Sequence, residues 1–177
     1  LNNLDKAVQA IINGDAGTLK NLLLAYPALI KARSESPHQS TLLHYVAANG
    51  IESELQKTPP NAVEIAQILI DAGTEIDATA ETYGGGPNQT TLCLLISSSH
   101  PAEAGVKGDL VRLLCESGAK VNGLLDDGAP MITALAFWSV ESFDVLAEQG
   151  ARIDNFVFAA ASGDLDLTKK HINIPYQ

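Results

Sequence analysis

Apolar residues recur three and four positions apart in four stretches of the chain, and each stretch is closed by a residue that stops a helix. The stretches are LKNLLLAYPALIKA (Leu19–Ala32), IAQILIDAGTEIDA (Ile65–Ala78), LVRLLCESGAKVNG (Leu110–Gly123) and SFDVLAEQGARIDN (Ser142–Asn155). That period places one apolar stripe along a helix. The closing residues are Pro27, Gly73, Gly118 and Gly150. Glycine suits the left-handed backbone just past a helix end, and Pro27 ends the first helix by withholding an N–H. Three positions on, a branched apolar residue (Ile30, Ile76, Val121, Ile153) is the expected buried anchor of the turn that follows.

A shorter helix is predicted ahead of each stripe: LDKAVQAIINGD, TLLHYVAANG, TLCLLISSSH and MITALAFWSV. A fifth, NFVFAAASGD, leads into the start of another stripe, LDLTKK. Ala47, Ala48, Ser97, Ala136 and Ala160 are small enough to let helices approach closely. The chain thus reads as helix, turn, helix, extended turn, repeated, and such repetition dictates the whole architecture.

These residues resemble the ankyrin-repeat family. Thr41, Leu43, His44, Ala47 and Gly50 match the first half of its pattern, with Leu42 in place of its Pro and Val46 in place of an Ala. Leu110, Val111, Leu113, Leu114, Gly118, Ala119, Val121 and Asn122 match the second half. The resemblance implies an all-α ankyrin-repeat solenoid: about five helix–turn–helix units with β-hairpin-like connecting loops, in one domain over residues 1–177. The units fall at about 1–32, 33–78, 79–123, 124–155 and 156–177, the last incomplete. In that family the pair Thr41 and His44 would hydrogen-bond locally and between repeats, fixing the turn into the helix.

The family repeat is about 33 residues long. The second and third units exceed it by a dozen or so, whereas the fourth does not. The excess lies at Ile51–Asn61 in the second unit, and at Ala78–Gln89 and His100–Gly108 in the third. Insertions in loops cost little entropy, yet such loops are where repeat proteins vary their binding surfaces. The strings TPPNAVEIA and YGGG resemble a bacterial subset of ankyrin proteins, which implies a bacterial source.

Composition narrows the function. With 177 residues, 46% of them hydrophobic, a large core is available without disulfides or metal. A net charge of -10 repels phosphate, so nucleic acid and anionic membranes are not expected partners. Cys93 and Cys115 sit in apolar runs that suit free thiols in a reducing compartment, although a bridge between them stays open. No apolar run reaches the length of a membrane span, the first ten residues are too polar for a signal peptide, and a cytoplasmic location follows as the expectation. The start at Leu1 suggests processing or an excerpt of a longer protein.

Candidate chemistry is sparse. His38, His44, His100 and His171 lack metal-ligand spacing, and no cofactor is implied. The Ser97–Ser98–Ser99–His100 run lacks a nucleophile-elbow context and reads as capping. Gly84–Gly85–Gly86 could turn N–H groups toward an anion, but reads better as a hairpin tip.

Aligned columns of the first helices hold Tyr45, Ala48 and Asn49; Leu95, Ser98 and Ser99; and Ala134, Phe137 and Trp138, on what would be the concave face. The expected function is non-catalytic binding of a protein or peptide partner by Trp138, Phe137 and Tyr45, rimmed by Asn49, Ser98 and Ser99, with Tyr83 at a hairpin tip. The alternative for Trp138 is packing onto the next unit. A partner with a basic patch would suit the acidic balance. Phe156 and Phe158, beside an unfinished helix, would leave apolar surface for self-association or a further domain. Two other functions stay open: a spacer within a longer polypeptide, and an enzyme whose enlarged loops roof a pocket at His44, Tyr45 or His100.

Overall fold

The computed structural model describes residues 2–83 and 88–172. Local signals set the first helical pair. Helix α1 (Asn3–Asn13) opens on a reciprocal cap between Asn2 and Asp5, and closes on Gly14 at φ 70°. Asp15 accepts the Thr18 N–H to start α2 (Ala16–Ala25), which gives way to a tight turn at Pro27–Lys31. The pattern continues through α3 (Leu42–Val46), α4 (Ala62–Asp71), α5 (Thr91–Ser97), α6 (His100–Glu103) and α7 (Lys107–Glu116). It ends with α8 (Ala129–Ala136), α9 (Val140–Glu148), α10 (Phe156–Ala161) and α11 (Leu165–Ile172). Two short strands, β1 (Thr79–Ala80) and β2 (Gln89–Thr90), pair antiparallel with Thr79 opposite Thr90.

Packing follows chain order in two rows. Helices α1, α3, α5 and α8 contact one another successively, as do α2, α4, α7 and α9, and each helix also packs on its pair-mate. The core fills the space between rows, with Ile11, Leu19, Leu43, Ile65, Leu94, Leu110 and Met131 fully buried. Gly73, Gly118 and Gly150 carry φ of 86°, 102° and 87° with open space beside each Cα, so backbone geometry, not crowding, requires glycine there. Ile30 is buried as expected, whereas Ile76, Val121 and Ile153 are half-buried against the core.

The enlarged loops are built in. Ile51–Asn61 forms a short 3₁₀ turn at Ser53–Leu55 and is tied to the first pair by Asn61 Nδ2 donating to the Gly14 carbonyl at 3.0 Å. His100–Gly108 contains α6, and buried Lys107 donates from Nζ to the Ile96 carbonyl at 2.9 Å, satisfying the end of α5. The fifth pair is more complete than the sequence suggests: α11 does form, because Asp164 accepts the Leu167 N–H at 2.9 Å. It buries no residue, and α10 packs chiefly on α11. Cys93 and Cys115 are both free, so the bridge left open by the sequence does not form. Among the described residues no helix is long and apolar enough to cross a membrane, and no group of three or more His, Cys, Asp or Glu could hold a metal.

Candidate functional site

The turn from α8 to α9 repeats a backbone pattern found at the first pair. There the Gly14 N–H reaches the Ile11 carbonyl, Asp15 reaches Ala10, and Ala16 reaches Gly14. At α8 the Trp138 N–H reaches Leu135, Ser139 reaches Ala134, and Val140 reaches Trp138. Trp138 therefore stands where Gly14 stands, and Gly163 takes the equivalent place between α10 and α11. Its φ is 54°, against 70° and 73° for the two glycines. A left-handed backbone costs a residue with a Cβ about 1–2 kcal/mol. The side chain gains no burial in return: Trp138 is 89% exposed, with Phe137 58% and Val140 69% exposed beside it. Trp138 thus belongs to the inter-helix turn and not to a helix face, and it does not fold onto the following unit.

The other expected surface residues divide. Tyr45 is buried and packs edge-on against the His38 ring, because its place on α3 faces the loop that precedes the helix. Burial, foremost, raises its phenol above the ordinary range. Ala48, Leu95 and Ala134 are buried too. Ser98 is buried and donates to the Ala48 carbonyl at 3.2 Å, so it joins two units internally. Asn49 is half-buried, with every amide position engaged. Its Nδ2 donates to Leu94 O and Ser97 Oγ, while its Oδ1 accepts from the Gly50 N–H and the Tyr83 hydroxyl. Tyr45 therefore does not stand in the apolar centre expected beside Trp138, nor Asn49 and Ser98 in its rim: Tyr45 is buried against His38, and Asn49 and Ser98 are turned inward against neighbouring units. Ser99 is exposed ahead of α6, and Tyr83 is 73% exposed with its hydroxyl fixed to Asn49. Gly84, Gly85 and Gly86 lie outside the described residues.

His44 has a structural role. Its Nδ1 accepts the Thr41 N–H at 3.2 Å and lies 2.8 Å from Thr41 Oγ1. The ring proton of the neutral imidazole therefore sits on Nε2, which points at the Gln89 carbonyl 3.4 Å away on β2. Burial is the main reason that its pKa falls to about 4. Both ring nitrogens are committed and the residue is fully buried, so it joins the helix start to the neighbouring hairpin.

Two features escaped sequence reasoning. The first is a polar cluster in the loop ahead of α3. The Ser36 hydroxyl donates to Glu52 Oε1, and His38 Nε2 lies 3.0 Å from Glu52 Oε2. Burial alone would raise the Glu52 carboxyl, but the bond from Ser36 and the contacts with His38 outweigh it and hold the group below its ordinary range. A recess of about 330 Å³ beside it is lined by Tyr45, Arg33, Ser34, Ser36 and Glu52; His44 and His100 are elsewhere. The carboxylate stands between serine and histidine, so the histidine is not placed to take the serine proton, as nucleophilic catalysis would need. The cluster joins Ser36 and His38 to an inserted loop well removed in sequence, which no local motif could announce.

The second is a groove of about 720 Å³ between α8 and α10. Ile132, Leu135 and Ala136 form one side, and Val157 and Phe158 the other. Ile132 and Val157 are 53% and 59% exposed, while the buried Phe158 ring abuts Gly128. Asp126, Asp127, Arg152 and Asp154 line its rim. Arg152 donates to Asp126 Oδ1 at 2.6 Å and to Asp154 Oδ2 at 3.1 Å, and Asp127 Oδ1 accepts the Ala129 N–H at 3.1 Å. No sequence signal marked this groove, because it depends on how α10 packs relative to α8. In comparison with protein-family models and with curated proteins, the chain matches none.

Proposed function

We propose that the chain is an ankyrin-type repeat array that acts as a non-catalytic binding module, holding a protein or peptide partner at the aromatic turn Phe137–Trp138. The solenoid reading is supported by the two successive rows of helices, the left-handed glycines at Gly73, Gly118 and Gly150, and the Thr41–His44–Gln89 bonds between helix start and hairpin. The binding reading rests on one observation. Trp138 occupies the place of a glycine at φ 54° while 89% exposed, a position that costs stability and returns no packing. Tryptophan is among the residue types enriched in interface hot spots.

The test is capture from a host lysate on immobilised native chain, Phe137→Ala and Trp138→Gly, each verified as folded by circular dichroism. A partner kept by the native chain and lost by Trp138→Gly supports the turn as the binding site. Equal retention by all three moves the site elsewhere. Capture of nothing by the native chain favours the spacer reading.

A further inference from the structure

We propose that the groove between α8 and α10 is a second binding site, which receives a short peptide segment carrying an aliphatic or aromatic anchor and, within a few residues of it, a lysine or arginine. The inference accepts the reading of the chain as a binding module but does not depend on Trp138.

The floor supplies the anchor's recognition. Elsewhere in the array, successive first helices close on each other and bury their facing residues. Here α10 packs chiefly on α11, so the facing sides of α8 and α10 stay partly uncovered. Partly exposed Ile132 and Leu135 of α8 and exposed Val157 with buried Phe158 of α10 line the gap. A volume of about 720 Å³ lies within the range of binding pockets for compact ligands, and its lining combines apolar residues of α8 and α10 with polar and charged residues of the flanking turns.

The rim supplies the charge. Three carboxylates, from Asp126, Asp127 and Asp154, stand against one guanidinium, that of Arg152. Arg152 divides its donors between Asp126 and Asp154, while Asp127 is held by a backbone N–H alone among the bonds that fix the rim. The border is therefore net negative on a molecule whose own charge is -10. A cationic side chain there gains attraction from near and far charges alike. The same field opposes a second copy of this chain, which would bring equal negative charge to the groove. An acidic or phosphorylated segment is opposed for the same reason.

The experiment selects a phage-displayed library of random twelve-residue peptides on the native chain. A fluorescein-labelled synthetic peptide of the enriched sequence is then titrated by anisotropy. Enriched peptides are expected to combine a Leu, Ile, Phe or Trp with a nearby Lys or Arg. Ile132→Ser/Val157→Ser, which alters exposed positions, should weaken Kd at least tenfold. Asp127→Asn/Asp154→Asn should weaken it several-fold at low salt, with the difference shrinking at high salt. Trp138→Gly should leave Kd unchanged, which separates a failure of this site from a failure of the aromatic turn. Enrichment of acidic or uncharged peptides, equal binding by the serine variant, or no enrichment over blank support would overturn the proposal. A sedimentation dimer abolished by Val157→Ser would overturn it too, by assigning the groove to a second copy.

Discussion

The helical pairs built from α1 to α7 and those built from α8 to α11 share one construction but end with different surfaces. In the first region polar side chains are consumed internally: Asn49 to Leu94 and Ser97, Ser98 to Ala48 and Asn61 to Gly14 cross from unit to unit, and Lys107 to Ile96 closes the third unit on itself. In the second, Leu125, Ile132, Phe137, Trp138, Val140, Val157, Leu165 and Ile172 are all more than half exposed. The enlarged loops belong to the first region. Their residues bond to neighbouring helices, Asn61 to Gly14 and Lys107 to Ile96, so these insertions are docked on the helices and not free of them. Most of the exposed large apolar side chains lie in the region whose units have no insertion, with Leu24 and Tyr83 exposed in the first.

Four expectations sharpen or break this contrast. The largest effect belongs to the sealed core: Leu43→Ala should cost about 2–5 kcal/mol, whereas Val157→Ala should cost under about 0.5 kcal/mol. Urea denaturation of the two variants measures both, and similar values would erase the distinction.

Acid comes next. The His44 pKa of about 4 lies below its ordinary 6.5, so the unfolded chain binds the proton more readily. Stability contributed by this depressed group is full above the unfolded value and lost as pH falls through 6.5 toward about 4, a loss of up to about 3 kcal/mol. Glu52, also held below its ordinary value, adds a loss of the same sign at lower pH. His44→Gln should flatten the decline between pH 6.5 and 4. Parallel slopes for variant and native chain would argue against His44 as its source.

Gly118→Val should cost about 1–2 kcal/mol, since φ of 102° suits no β-branched residue even though the space beside it is open. Its reverse is a smaller effect of the opposite sign. Trp138→Gly should raise stability by about 0.5–1 kcal/mol, the gain from relaxed backbone being offset in part by a freer unfolded chain. A lower melting temperature for Trp138→Gly would mean that the indole packs usefully, and would remove the argument that it is kept for a partner.

Much of the fold was legible because its signals are local. Periodic leucines and isoleucines, Gly73, Gly118 and Gly150, and the Thr41–His44 spacing each act within a few residues of themselves. The site was legible in part. Phe137, Trp138 and Tyr83 were singled out and are exposed, but Trp138 was assigned to a helix face because MITALAFWSV carries no glycine to mark where its helix stops. Tyr45, Asn49 and Ser98 were misplaced because burial depends on which unit packs above, and the short helices α3 and α5 turn those positions toward their neighbours.

By itself, then, the sequence determined where most helices begin and end, since caps, glycines and apolar period are properties of adjacent residues, the unmarked end of α8 excepted. It also determined the net charge of -10. Tertiary structure alone decided that the inserted loops dock, that Ser36, His38 and Glu52 meet, and that α10 stands off from α8 to leave a groove. Those outcomes depend on contacts between residues far apart in the chain, whose energies are settled only when whole units pack.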